Sequence, residues 1–362
     1  MQTLSLRIKE SPREIPCHVG RGLWPGVCAF LREQFPLRRI FALADAQVAE
    51  RFQSDIARGL AGHPGYGGLI TFPAGEASKS REQKARLEDA LLQRQAGRDS
   101  LIVAVGGGVT GDLAGYVAAT LHRGVPLVHV PTTLLAQVDS SIGGKVGINH
   151  PLGKNLIGAF YQPAAVFCDV EFLGHLPEAE FLNGMAEVIK YAVILDDQLW
   201  GWLEEQCAAV RKRDPAVLEE MVARSIRWKI RVVEADEKEE GYRSLLNFGH
   251  TVGHAIEQLS QYRVKHGFAV AAGMRVAARL SHRLLGYPRE RVARLDALLH
   301  RYALDRVNVQ EYSPEALWEC MIRDKKARQQ APRFTLLRAP GRPELFYPVE
   351  KQELAYVIHN LA

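Results

Sequence analysis

The sequence predicts an α/β half built on a parallel sheet, followed by a mostly α-helical half. Two patterns lead to this reading. Up to about residue 176, short β-branched runs alternate with helical stretches. Beyond it, long patterns rich in Ala, Leu, Arg and Glu show few strand candidates until RFTLLRAP at 333–340. Strand–helix alternation builds a parallel sheet with helices on its faces. Composition agrees: 362 residues, 47% apolar and 24% charged, suit a globular chain of about two domains at ~150 residues each. The expected domains are 1–176 and 177–362.

Taken in order, the strands are RRIFALAD (38–45), GLITFPAG (68–75), SLIVAVGGG (100–108) and VPLVHVPTT (125–133), each closing on glycine, acid or threonine. Helical patterns fill the gaps at 78–95 and 111–122. Sheets of this kind bind ligands in the crevice beyond the carboxyl ends of their strands. Asp45, Gly75, Glu76, the stretch from Gly106 to Gly111, and Thr132 and Thr133 fall at those ends.

Several classes are disfavoured. No apolar run approaches the ~18–20 residues of a membrane span, and MQTLSLRIKE at the start contains no secretory apolar core. Five scattered cysteines without CxxC spacing argue against a disulfide scaffold or a thiolate metal cluster, and for a reducing cytoplasm. The net charge of +5 is spread along the chain, so no nucleic-acid partner is expected. Separate cations suit an anionic small molecule.

GGGVTGDLAG (106–115) satisfies G-x-G-x-x-G after a strand and before a helix, a context in which backbone amides meet phosphate oxygens. A tight turn with positive φ explains it equally well. Asp112, in the first helical turn, repels phosphate, so a hydroxyl or amide is its expected partner. Glu76 and Lys79 stand where they can hold an adenosine ribose, or simply start a solvated helix. The polar, glycine-broken stretch 138–155, with Asp139, Lys145, Lys154 and Asn155, reads as an anion-binding loop or a surface loop, and Arg123 can add a bidentate grip.

In GMAEVIKYAVIL (184–195), Glu187 and Lys190 are the only charges on a helix apolar all round, hence buried. Buried charges must pair, meet a ligand or hold a metal. His250 and His254, four apart in LLNFGHTVGHAIEQL, share a helix face, and His266 follows. Two imidazoles with one carboxylate suit a catalytic zinc ion. Spacing leaves open which two histidines bind, and favours His250 with His254.

At this point longer blocks come into view: GEASKS, GGGVTGDLAGYVAATLHRG, VPTTLLAQVDSSIGGKVGINHPLGKNLIGAFYQP, GMAEVIKYAVILD, LLNFGHTVGHAIE and RDKK. Together they resemble the bacterial 3-dehydroquinate synthase family of sugar-phosphate cyclases. The resemblance implies an N-terminal Rossmann-like NAD-binding domain, a helical domain for metal and substrate, a divalent metal (zinc, with cobalt the other candidate) and a homodimer. It implies Glu187, His250 and His266 as metal ligands, replacing the pair that spacing favours, and His254 as the catalytic-site histidine. Lys145, Asn155, Lys190, Lys229, Arg243, Asn247 and either Lys325 or Lys326 become substrate contacts, with Arg123 on the phosphate from the same or a neighbouring subunit. The cofactor set becomes Glu76, Lys79, Gly108, Val109, Asp112, Thr132, Thr133 and Lys154. Asp45, Gly75, Gly107, Asp139 and Lys145 stand beside them as candidates.

The implied reaction converts 3-deoxy-D-arabino-heptulosonate 7-phosphate to 3-dehydroquinate, with NAD⁺ regenerated in each turnover. Cyclases acting on other sugar phosphates, metal-dependent polyol dehydrogenases and a non-catalytic homologue are the competing readings. Two departures from the family pattern stand out. Phe268 replaces the glutamate of HGE, and Val146 replaces a common threonine. Loss of the glutamate removes a possible support for a metal ligand. Either Glu257 or a water compensates, or turnover is reduced, and restoring glutamate at 268 is expected to raise zinc affinity or rate.

Overall fold

The computed structural model describes residues 14–323, 331–339 and 341–361. Its first half holds strands β1 (Cys17–Gly20), β2 (Arg39–Asp45), β3 (Tyr66–Phe72), β4 (Ser100–Gly106), β5 (Leu127–Pro131), β6 (Lys145–His150), β7 (Gly153–Phe160) and β8 (Ala165–Asp169). Interleaved are helices α1 (Trp24–Gln34), α2 (Ala46–Leu60), α3 (Arg81–Gln93) and α4 (Gly108–Thr120).

Six strands form one parallel sheet in the order β1-β8-β5-β4-β2-β3. Successive side chains on a strand point to opposite faces, and the core divides accordingly. Phe41, Leu43, Ile102, Ala104 and Leu127 pack with Leu87 and Leu91 of α3 and Leu113 and Val117 of α4. Ile40, Ala42, Leu101, Val103 and Val128 pack with Val27 and Leu31 of α1 and Ile56 and Leu60 of α2. Burial on both faces explains why β4 reads as a nearly continuous apolar run and β5 as one interrupted by His129 alone.

The polar stretch at 138–155 is not simply a loop. A π-turn spans Ala136–Ser140, and β6 and β7 then pair as an antiparallel ribbon outside the main sheet, with β6 against α4. A two-stranded ribbon packed on one side needs little apolar sequence, so glycine and polar residues mask it.

The second half is helical: α5 (Glu171–Gly174), α6 (Glu178–Leu195), α7 (Asp197–Glu205), α8 (Cys207–Arg211), α9 (Pro215–Ala235), α10 (His250–Leu259), α11 (His266–Leu285), α12 (Arg289–Arg301), α13 (Pro314–Arg323) and α14 (Lys351–His359), with a hairpin of β9 (Arg333–Ala339) and β10 (Arg342–Pro348). Helix α6 is buried on every side from Phe181 to Ile194, as its apolar circumference requires. Among the described residues, no helix is long and apolar enough to cross a membrane.

Candidate active site

Three elements bring Glu187, His250 and His266 together. Glu187 sits in the middle of α6, and the two histidines open α10 and α11. A Cβ on Gly267 would lie 2.0 Å from the carbonyl oxygen of Asn183, so only glycine lets α11 start this close to α6. Asn183 also accepts a hydrogen bond from the Gly267 amide at 2.6 Å, which fixes His266 beside Glu187.

The Nε2 atoms of His250 and His266 lie 3.6 and 3.5 Å from one carboxylate oxygen of Glu187. Donors about 2.1 Å from a tetrahedral ion stand about 3.4 Å from each other, so the set fits a zinc-sized cation. Glu187 is fully buried, with one oxygen against the Lys190 ammonium and the other facing both Nε2 atoms. Burial opposes its charge, but the Lys190 ammonium, with which it forms an ion pair, and His266 hold the carboxyl below its usual range. Burial and Lys190 push His250 well below the ordinary imidazole value, and its Nδ1 lies 3.3 Å from the Phe248 carbonyl. That contact leaves Nε2 with a free lone pair. Burial also opposes charge on His266, yet Glu187 and Glu257 lift it to about 10. A positive charge is therefore favoured between these carboxylates.

The pair favoured by spacing is corrected here. Among the described residues, no set of donors close enough for one ion contains both His250 and His254. Their rings are nearly perpendicular, with centroids 5.3 Å apart, so sharing a helix face does not aim them at one point. His254 and His250 both border a small cavity with Asn247, Thr251 and the β9–β10 hairpin.

Around the cluster lies a cationic collar. Lys229 of α9 is buried and pairs with Asp139 in the π-turn, whose carboxylate also accepts from the Tyr191 hydroxyl at 3.1 Å. Arg243 is buried, donating to the carbonyls of Gly143 at 3.3 Å and Glu237 at 2.6 Å. Lys145 pairs with Glu239, which accepts a hydrogen bond from Asn247 at 3.2 Å. Glu239 is absent from the sequence-derived candidates: it belongs to an acid-rich run, EADEKEE, that reads as solvated surface.

The remaining candidates gather at the strand ends. Lys79 is buried, 2.6 Å from Asp112, and also donates to Asn155. An ammonium is thus the partner of Asp112, not the hydroxyl or amide expected, because the turn after β3 reaches the start of α4. Asn155 consequently stands with Lys79. Glu76 is exposed and accepts from Asn149 at 2.8 Å, and Gly75 precedes it with φ +103°. Asp45 caps α2 and accepts from Thr110 at 3.0 Å.

The glycine turn leads directly into α4, but positive φ is not its reason: Gly107 has φ −76°. Space is the reason. A Cβ on Gly106 would sit 2.3 Å from Thr110, and one on Gly107 would sit 2.9 Å from Thr133. Gly108 and Val109 form the half-buried first turn, beside buried Thr132. Lys154 crosses to α10, 3.0 Å from Glu257. Arg123 is exposed after α4 at φ +69°, and no hydrogen bond or ion pair among the described residues joins it to this group. Lys325 and Lys326 lie outside the described residues. A separate cavity of about 520 Å³, bordered by Trp24, Phe52 and His175, holds none of these side chains.

A doubly wound parallel sheet with a close-packed glycine turn, joined to a helical bundle carrying a carboxylate–diimidazole cluster, defines a class that solved structures represent well. 2-Deoxy-scyllo-inosose synthase, solved with carbaglucose-6-phosphate, NAD⁺ and Co²⁺, matches over 95% of this chain and 96% of its own, with 28% identity and a TM-score of 0.87. The 2-epi-5-epi-valiolone synthase of Streptomyces hygroscopicus shares the fold at a TM-score of 0.89 and 24% identity, covering 99% of each chain. Within this class the chain belongs to the 3-dehydroquinate synthase family. The family's N-terminal model matches residues 69–183 and its C-terminal model residues 184–327. 3-Dehydroquinate synthases from Geobacter metallireducens (45% identical, 94% of each chain) and Dehalococcoides mccartyi (39% identical, 99% of each chain) are among its relatives.

Proposed function

We propose that the protein is a phosphate-eliminating lyase, converting 3-deoxy-D-arabino-heptulosonate 7-phosphate to 3-dehydroquinate and phosphate in the shikimate route to chorismate. The observation that carries the reading is the Glu187–His250–His266 cluster set beside a cationic collar, in a chain whose relatives bear that name. The substrate is oxidised at C5, loses phosphate by β-elimination, is reduced again, opens and closes by an intramolecular aldol step. When bound, NAD⁺ supplies a hydride acceptor restored within the turnover, and the divalent ion supplies a Lewis acid.

The inosose synthase, solved with NAD⁺ and Co²⁺, supports both cofactors, and a two-nitrogen, one-oxygen donor set favours Zn²⁺ over Co²⁺ as the resident metal. Glu187, His250 and His266 hold the ion. The strand ends from Asp45 to Thr133, with Lys154, hold the cofactor in a domain of residues 1–176. Residues 177–362 form the metal and substrate domain. Lys145, Lys190, Lys229 and Arg243 orient the substrate's carboxylate and phosphate. Asn155 and Asn247 bind hydroxyls, and His254 exchanges a proton with the substrate. One of Lys325 and Lys326 contacts the substrate, and exposed Arg123 grips phosphate within a cytoplasmic homodimer.

The test is phosphate release from three substrates offered separately: the heptulosonate phosphate, sedoheptulose 7-phosphate and glucose 6-phosphate. Release from the first alone, lost in Glu187→Gln, is expected. Release from either of the others in its place would assign a different cyclase.

A further inference from the structure

We infer that Glu257 is the positioning residue of the metal centre, acting through His266. The inference rests on Glu187, His250 and His266 being the ligands. Glu257 is buried on α10, one turn beyond the exposed His254, and both its oxygens are engaged. One lies 3.1 Å from Nδ1 of His266 and the other 3.0 Å from the Lys154 ammonium. Lys154 comes from the β6–β7 ribbon and rests over the Tyr262 ring at 4.3 Å. The Tyr262 amide in turn donates to the Glu257 carbonyl at 2.7 Å. The carboxylate is therefore held from two sides and cannot swing away from His266.

An imidazole that donates Nδ1–H to a fixed carboxylate presents the lone pair of Nε2, in a set orientation, toward Glu187. Among the described residues, His250 has the Phe248 carbonyl, at 3.3 Å, for the same purpose. Phe268 cannot help His266, since its ring is buried in the helical core beneath the Arg306 guanidinium. Glu257, His254 and His266 also stand close enough to hold an ion themselves. Glu257 is nevertheless assigned to support, because His266 and Lys154 engage both its oxygens, whereas Glu187 pairs with Lys190 through one oxygen and turns the other toward Nε2 of both His250 and His266.

The experiment measures the zinc dissociation constant of the full chain by competition with a chromogenic chelator, for wild type, Glu257→Gln, Glu257→Ala and Glu187→Gln. The visible spectrum of the Co²⁺-loaded forms is recorded alongside, and melting of each metal-free protein checks folding. Glu257→Gln and Glu257→Ala should bind zinc about 10–100-fold more weakly with an altered cobalt spectrum. Glu187→Gln should lose binding altogether. Wild-type affinity and spectrum in Glu257→Gln would overturn the inference while leaving the ligand set intact. Loss of all binding in Glu257→Gln with binding retained in Glu187→Gln would make Glu257 a ligand and overturn both. A wild type that binds no zinc would remove the ligand reading, and the inference with it.

Discussion

The Lys79 ammonium lies 2.6 Å from the Asp112 carboxylate, tying the turn after β3 to the first turn of α4. Lys79 is 4% exposed, so without the Asp112 charge it keeps only the Asn155 oxygen and the Glu76 carboxylate, at 3.8 Å. Asp112→Asn should cost about 1–2 kcal/mol, less than breaking an isolated buried pair, because burial already raises the Asp112 carboxyl above its usual range and the Asn155 oxygen still accepts from Lys79. Urea denaturation of wild type, Asp112→Asn and the double variant Lys79→Met/Asp112→Asn checks this. The double variant should be less destabilised than the two single changes added together.

Asp139 carries a pH-dependent part of the stability. Burial opposes its ionisation, but the Lys229 and Lys190 ammonium groups hold the carboxyl far below its usual range. A carboxyl depressed on folding stabilises fully above its unfolded value, about 4, and that contribution fades as pH falls toward the folded value. Asp139→Asn should therefore be about 3 kcal/mol less stable than wild type at pH 7. The gap should narrow steadily below about pH 4. Denaturation curves at pH 7, 5, 4 and 3 read it directly, and a gap that widens in acid would contradict the assignment.

Glu239 links Lys145 to Asn247 in the collar. Glu239→Ala should lower kcat/KM by at least about 10-fold, since an oriented cation and amide are both released. Zinc affinity should be unchanged, because Glu239 is not among the donors near Glu187. Steady-state kinetics and chelator competition on the same preparation separate the two effects.

Phe268→Glu is no longer expected to raise zinc affinity. His266 already has its acceptor in Glu257, and position 268 is 7% exposed among apolar side chains. Zinc affinity should stay within about 3-fold of wild type, while the melting temperature falls as a carboxylate enters the core. Thermal melts and metal titration of this one variant decide it.

Much of this was legible in the residues. Strands β2, β4 and β5 are seven, seven and five residues of mostly apolar sequence ending in acid, glycine and proline respectively, too short and too β-branched to favour a helix. The edge strand β1, only four residues long, and the ribbon β6–β7 escape notice because neither is buried on two faces. The buried charges of α6 announce a site on their own. Their partners do not: His250 follows Glu187 by 63 residues, and only the packing of Gly267 against Asn183 brings His266 alongside. Periodicity speaks within one helix, so it favours His254. Glu239 is hidden for a related reason, since an acidic run has the same appearance whether it meets water or Lys145.

The central claim is a reaction in which the cofactor is used and restored. The purified protein, incubated with 3-deoxy-D-arabino-heptulosonate 7-phosphate, catalytic NAD⁺ and Zn²⁺, is followed by NMR for phosphate and carbocycle and by absorbance for NADH. The account predicts phosphate and 3-dehydroquinate in equal amounts, no net NADH, and loss of both products on chelation. NADH accumulating with substrate, or a folded and zinc-loaded protein that binds NAD⁺ and releases no phosphate, would contradict it.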